Sequence, residues 1–222
     1  MPRADGCLSG TMRGMNQRTL ILVIAVVAVV AGVLLFTLDG GGPAANQNAG
    51  LRLDEQPRIG PAEAPVQVVV FEDFLCSHCG TFSQSVFPQL ERAYGGDDEV
   101  AIYTMNFVVI GPESRQIAAV GECVAEQGSD AFYAFEKAAF RSQPSLTPDL
   151  ASDLARQYAT GLDEEAFDAC VASDRGLAAV DADTQTATEL GLRGTPSVLV
   201  NGTPVSNPGF SQIQAAVDAA RP

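Results

Sequence analysis

Two kinds of apolar run punctuate this chain, and they predict different surroundings. Leu20 to Leu38 is nineteen residues without a charge, rich in Val, Leu, Ile and Ala, which is about the length needed to cross a bilayer. Arg13 and Arg18 precede it and Asp39 follows, so the positive-inside rule puts the N-terminus in the cytoplasm and the bulk of the chain outside. A cleaved export signal shares the basic start but has a shorter apolar core, about 7–15 residues, and Pro43-Ala44-Ala45 is a poor cleavage site. The pattern therefore favours a retained signal-anchor: a cytoplasmic segment 1–19, a transmembrane helix 20–38, and a flexible polar tether 39–58 carrying Gly40-Gly41-Gly42-Pro43.

The remaining runs are those of a folded domain over 59–222. Arg58 to Pro61 and Ala64-Pro65 make an extended lead-in, and Val66 to Phe71 is a near-continuous apolar run of the kind buried on both faces of a parallel sheet. Phe82, Val86, Phe87 and Leu90 recur at helical spacing and predict a helix over Gly80 to Tyr94. Val100 to Val109 reads as a second strand, which closes a βαβ unit. A long helical stretch follows, at about 113–190, where a simple α/β fold would have one crossover. Ser114 is expected to cap its first helix and Asp130 the next; Thr147-Pro148-Asp149 is a strong start signal, with a capping hydroxyl, proline at the first position and an acid in the first turn. Asp163 opens a short helix, and a longer one runs from about Arg175 to Leu190. Pro196 to Val200 is a strand, Asn201-Gly202 a hairpin turn, Thr203 to Ser206 the returning strand, and Ser211 to Ala220 a closing helix.

Composition narrows the partners. The formal charge is −14, and because residues 1–38 are themselves net positive (Arg3, Arg13 and Arg18 against Asp5) all of the excess negative charge lies beyond residue 38, so the domain surface would repel nucleic acid and anionic lipid. Its 222 residues, 46% of them hydrophobic, suffice for one well-buried core. Five cysteines in an exported chain can persist as disulfides; the odd count leaves one over, and Cys7, ahead of the apolar run, is the candidate.

The chemistry sits where the first strand meets its helix, at Cys76-Ser77-His78-Cys79. Unpaired backbone N–H groups and the helix dipole favour negative charge at a helix N-terminus, and the thiolate is the nucleophile of disulfide exchange. A zinc site would need two further ligands at similar spacing, and His78 is the single histidine of the chain. No metal or cofactor is expected, because the cysteine pair itself carries the electrons.

Cys76-Ser77-His78-Cys79, the helical insertion, and Gly194-Thr195-Pro196-Ser197-Val198 together resemble the DsbA-like thioredoxin-fold family of extracytoplasmic thiol–disulfide oxidoreductases. The resemblance spans about residues 52–220. It implies a thioredoxin-like fold with a helical insertion, Cys76 as nucleophile, Cys79 as resolving thiol, and Thr195-Pro196 as a cis-proline loop facing them. The family often carries a buried acid six positions before the nucleophile; that position is Val70 here, leaving Glu72 or Asp73 as the candidate proton acceptor for Cys79. His78 is expected to stabilise a thiolate on Cys76. Cys123 and Cys170, both in the insertion, are either two buried free thiols or a structural disulfide joining two helices, and the oxidising side of a membrane favours the disulfide.

The function expected is a membrane-anchored oxidoreductase that donates its Cys76–Cys79 disulfide to exported proteins with cysteines and is recycled by a redox partner. A reductase or isomerase is the alternative in the same class, although isomerases of this kind commonly need a dimerisation region that the short polar tether does not supply. An alternative of another class is a soft-metal module binding copper through Cys76, His78 and Cys79; the proline loop argues against it.

Overall fold

The structure, a computed structural model, describes Asn48 and residues 50–222. The expected segments 1–19 and 20–38 and most of the tether, with Cys7, lie outside the described residues. Among those described, no helix is long and apolar enough to cross a membrane.

Five strands form one sheet in the order β1-β3-β2-β4-β5: β1 Arg58–Ile59, β2 Val66–Glu72, β3 Val100–Asn106, β4 Ser197–Val200 and β5 Thr203–Pro204. β2 and β3 run parallel, Val66 opposite Val100 through Glu72 opposite Asn106, and the other pairings are antiparallel. Strand alternation sorts β2 cleanly. Val66, Val68 and Val70 face a core with Leu90, Ile213 and Val217, while Val69 and Phe71 face a second cluster with Leu51, Tyr103 and Ala187. Burial on both faces is why β2 reads as a continuous apolar run. The fold is thus the α/β, thioredoxin-like arrangement with a helical insertion.

Of the boundaries that differ from the sequence expectation, three have a clear local reason. The helix expected over Gly80 to Tyr94 starts earlier and is broken into α1 Ser77–Ser85 and α2 Phe87–Tyr94; Pro88 has no N–H to return to the Gln84 carbonyl, so the ladder cannot run through it. β3 stops at Asn106 rather than Val109, because the Val108 N–H goes to Thr184 Oγ1 at 3.1 Å and the Val109 N–H to Asp73 Oδ2 at 2.8 Å. The tether does not extend to residue 58. Leu51 is buried against the second cluster, Leu53–Glu55 form a 3₁₀ turn and Gln56 is buried, so packing begins about eight residues earlier than polarity suggests.

Between β3 and β4 lie α3 Pro112–Ala125, α4 Ser129–Arg141, α5 Pro148–Tyr158, α6 Glu164–Val171 and α7 Arg175–Glu189. Thr147 Oγ1 accepts from the Leu150 N–H and Asp163 Oδ1 from the Ala166 N–H, the caps expected for α5 and α6. Asn201-Gly202, both at positive φ (46° and 80°), make the β4–β5 hairpin, and α8 Phe210–Ala220 closes the chain. Cys123 of α3 and Cys170 of α6 are bonded to each other, with Cα atoms 5.6 Å apart and a sequence separation of 47.

A buried polar knot fastens the insertion to the sheet. Asp183 of α7 accepts from Gln56 Nε2 at 2.9 Å and from the Asn106 N–H at 3.1 Å, while Asn106 Nδ2 donates to Glu122 of α3. Burial pushes both acids up, Asp183 to about 6 and Glu122, beside Asp183, to about 8. The folded chain therefore keeps protons that an unfolded chain releases near the ordinary carboxyl range, about 4. With more protons bound in the native state across that window, stability must fall as pH rises from about 4 through 8. We expect a lower melting temperature at about pH 8.5 than at about pH 5, and Glu122→Gln, which retains the Asn106 bond, should flatten that slope; a slope unchanged in the variant would exclude Glu122 as its source. Removing the Cys123–Cys170 link should cost about 4 kcal/mol by loop-closure entropy. Denaturant titration of the Cys123→Ser/Cys170→Ser protein measures it.

Candidate active site

The buried end of β2 hands the chain to α1 through the turn Asp73 to Cys76. Cys76 is the N-cap of α1 in extended backbone conformation, its carbonyl accepting from the Gly80 N–H at 3.1 Å. Cys79 sits within the first turn of α1. The two thiols are unbonded in this structure and unequally placed: Cys76 keeps 7% of its surface in solvent and Cys79 none.

The Thr195–Pro196 peptide is cis. Its Thr195 carbonyl accepts from Cys76 Sγ at 3.3 Å, and Thr195 and Asp73 lie beside Cys79. Cys76, Cys79, Thr195 and Pro196 are therefore assembled at one place. His78 is on the exposed side of the motif, without a hydrogen bond or ion pair among the described residues. No three His, Cys, Asp or Glu side chains among the described residues converge as a metal site.

The two candidate acids prove different in kind. Asp73 is a structural hub: Oδ1 accepts from the Leu75 N–H at 2.9 Å and from the Ser114 hydroxyl, and Oδ2 from the Val109 and Ile110 N–H groups at 2.8 and 3.0 Å. Ser114 is consequently not the cap of α3; Gly111 is, and the hydroxyl spends itself on Asp73. Glu72, by contrast, is buried, with its carboxyl turned toward Cys79. Burial, then the adjacent Glu72 carboxyl, push the Cys79 thiol far above its ordinary range, against the opposing pull of the Thr195 and Asp73 donors. Burial and the neighbouring Glu136 carboxyl likewise raise Glu72 well above the carboxyl range.

Sequence reasoning missed Gln143, the residue of the insertion that serves this turn. Gln143 Nε2 donates to the Phe74 carbonyl at 2.8 Å and to the Cys76 carbonyl at 2.9 Å. A Cβ at position 80 would collide with that same amide, so Gly80 leaves the space Gln143 occupies. Phe74 wedges into the insertion, its ring 5.1 Å from Phe140 and 5.7 Å from Phe135. A glutamine some 67 residues away in sequence carries no local signal.

Residues 53–219 match the thioredoxin family model. The chain is 30% identical over 204 residues to the probable disulfide bond formation protein D of Bacillus anthracis, covering 90% of this chain and 93% of that protein. It is 33% identical over 168 residues to the protein of the same name in Bacillus cereus, covering 73% and 77%. Among solved structures, oxidised BdbD from Bacillus subtilis is similar with a TM-score of 0.68 at 25% identity, covering 76% of this chain and 94% of that one. Chlamydia trachomatis DsbA shares the fold, with a TM-score of 0.65 at 22% identity, covering 73% and 88%. The chain belongs to the DsbA-like thioredoxin family of thiol–disulfide oxidoreductases.

Proposed function

We propose that this enzyme is a membrane-anchored disulfide donor, held by residues 20–38 with its catalytic domain outside the cytoplasm, and that it passes the Cys76–Cys79 disulfide to exported proteins. The observation that carries the reading is the inequality of the two thiols. Cys76 is reachable and Cys79 is sealed and held as a thiol, so a substrate thiolate attacks the Cys76 sulfur and the bonding electrons leave onto Cys79. A second substrate thiolate then attacks the mixed disulfide at the substrate's own sulfur and expels Cys76. The substrate is oxidised by two electrons and the enzyme becomes a dithiol, to be reoxidised by a separate redox partner.

The surroundings suit a cysteine-bearing polypeptide as substrate. Val109 and Ile110, 43% and 56% exposed, are held by Asp73 close to the thiols and offer apolar contact. The donor direction is supported by the relatives' own name, disulfide bond formation protein D.

Equilibration of the pair with glutathione buffers tests the direction. A donor should lie nearer the roughly −120 mV of DsbA than the roughly −270 mV of thioredoxin, and a value near the latter would turn the reading to a reductase. His78→Ala should make the pair less oxidising; an unchanged potential would remove the histidine from the mechanism. Gln143→Ala frees two turn carbonyls, and at about 1 kcal/mol per hydrogen bond should destabilise the fold by roughly 1–2 kcal/mol and slow peptide oxidation. Unfolding curves alongside turnover with a dithiol peptide read both effects.

A further inference from the structure

Four segments of the chain meet at the thiols. Residues 74–80 carry Cys76 and Cys79, and residues 107–112 are tied to that turn by the Val109 and Ile110 N–H groups on Asp73 Oδ2. Residues 140–146 reach it through Gln143 Nε2 on the Phe74 and Cys76 carbonyls, and residues 190–197 through the Thr195 carbonyl, which accepts from Cys76 Sγ. None of the four contains an Asp or Glu, although the chain has 27 acids against 13 Lys and Arg. The charged side chains they do carry are of the other sign: Arg141, two residues before Gln143, and Arg193, two residues before Thr195, with His78 inside the cysteine motif. All three are exposed. Val109, Ile110 and Leu190, large apolar side chains left exposed, lie in the same segments.

The two arginines also lack a counter-charge. Among the described residues Arg52, Arg115, Lys137, Arg156, Arg175 and Arg221 are each paired with an acid, whereas neither Arg141 nor Arg193 has an ion pair or a side-chain hydrogen bond. Arg58 and Arg92 are unpaired too, but neither belongs to a segment that touches the thiol turn. Scarcity of acids does not explain this. Asp73, which borders the first segment, is buried and spent on the Leu75, Val109 and Ile110 N–H groups and the Ser114 hydroxyl. Glu113 and Asp149 sit in the first turns of α3 and α5, at the positive ends of those helices, and Glu189 accepts from Gln185 Nε2 at 2.7 Å.

We propose that this acid-free rim is where the substrate chain docks, and that Arg141 and Arg193 select segments in which Asp or Glu flanks the cysteine. The inference rests on the exchanging pair proposed above and names the class of polypeptide it takes. Most of the domain surface repels an acidic chain, so the rim is where such a chain can approach, with apolar side chains for contact and arginines for counter-charge. A guanidinium suits this role because its planar fork matches a carboxylate. A flanking acid also disfavours the peptide's own thiolate, and a cation supplied by the enzyme offsets that as the thiolate comes up to Cys76.

The test mixes oxidised full-length protein with two-cysteine peptides that differ only in whether Asp, Asn or Lys flanks the first cysteine. Each single-turnover rate is divided by the thiolate fraction from that peptide's own titration. The wild type should oxidise the Asp peptide fastest and the Lys peptide slowest, and the difference should shrink at about 0.5 M salt. Arg141→Gln and Arg193→Gln should each lower the Asp-to-Lys ratio about three-fold, the size of an exposed ion pair. The double variant, left with the negative remainder of the domain, should prefer the Lys peptide. Using a ratio between peptides cancels any effect of the substitutions on Cys76 itself. A wild type without the Asp preference overturns the proposal, and so does a double variant with the wild-type ratio. Oxidation of all three peptides at equal rates would sink the rim and spare the donor reading. If the peptides are not oxidised but their disulfide forms are reduced by the dithiol protein, the donor direction falls and the same ratios on the reduction rates decide the rim. No exchange in either direction removes the Cys76–Cys79 reading and the rim with it.

Discussion

The site depends on one constraint: a strand buried on both faces must hand its chain to a helix without leaving polar backbone unpaired in the interior. The turn from Asp73 to Cys76 meets it with borrowed groups. The Asp73 carboxylate gathers the Leu75, Val109 and Ile110 N–H groups, Gln143 serves the Phe74 and Cys76 carbonyls, and the Phe74 ring is clasped by Phe135 and Phe140. With the turn fixed from three sides, Cys76 can stand at the head of α1 while Cys79 remains sealed beneath it.

Most of these groups come from the segment inserted between β3 and β4. Ser114, Phe135, Glu136, Phe140 and Gln143 all belong to it, and the Asp183–Asn106–Glu122 knot ties it to the end of β3. The insertion is part of the floor of the site, so the thiols and the sheet that carries them cannot be understood without it. Its burial of acids has a cost: negative charge accumulates where solvent cannot reach, and the chain answers with retained protons more than with cations.

What was legible in the sequence was local. Thr147 and Asp163 sit three residues before the N–H groups they cap, Asn201-Gly202 specifies its own turn, and Val66 to Phe71 announces burial by composition alone. What was illegible was long-range. Ser114 has the chemistry of a cap, but its hydroxyl is claimed by Asp73 across 41 residues, and nothing near Gln143 or Glu136 in sequence marks them as neighbours of the cysteines. Glu72 and Asp73 are adjacent acids with opposite surroundings, since the pleat turns one toward the thiols while the turn binds the other. Leu51 shows a further limit: a polar, Gly-rich segment reads as a tether, yet its last residues are docked by Leu51 in the second cluster and by Gln56 bonded to Asp183.

The link between Cys123 and Cys170 bears on the life history of the molecule. Its sulfurs are almost wholly enclosed, in contrast to the reachable Cys76. A newly made copy must therefore surrender two electrons to some acceptor before its helices close over that bond. On the donor reading proposed above, the first copies made need an oxidant that does not depend on them, whereas later copies can be completed by earlier ones.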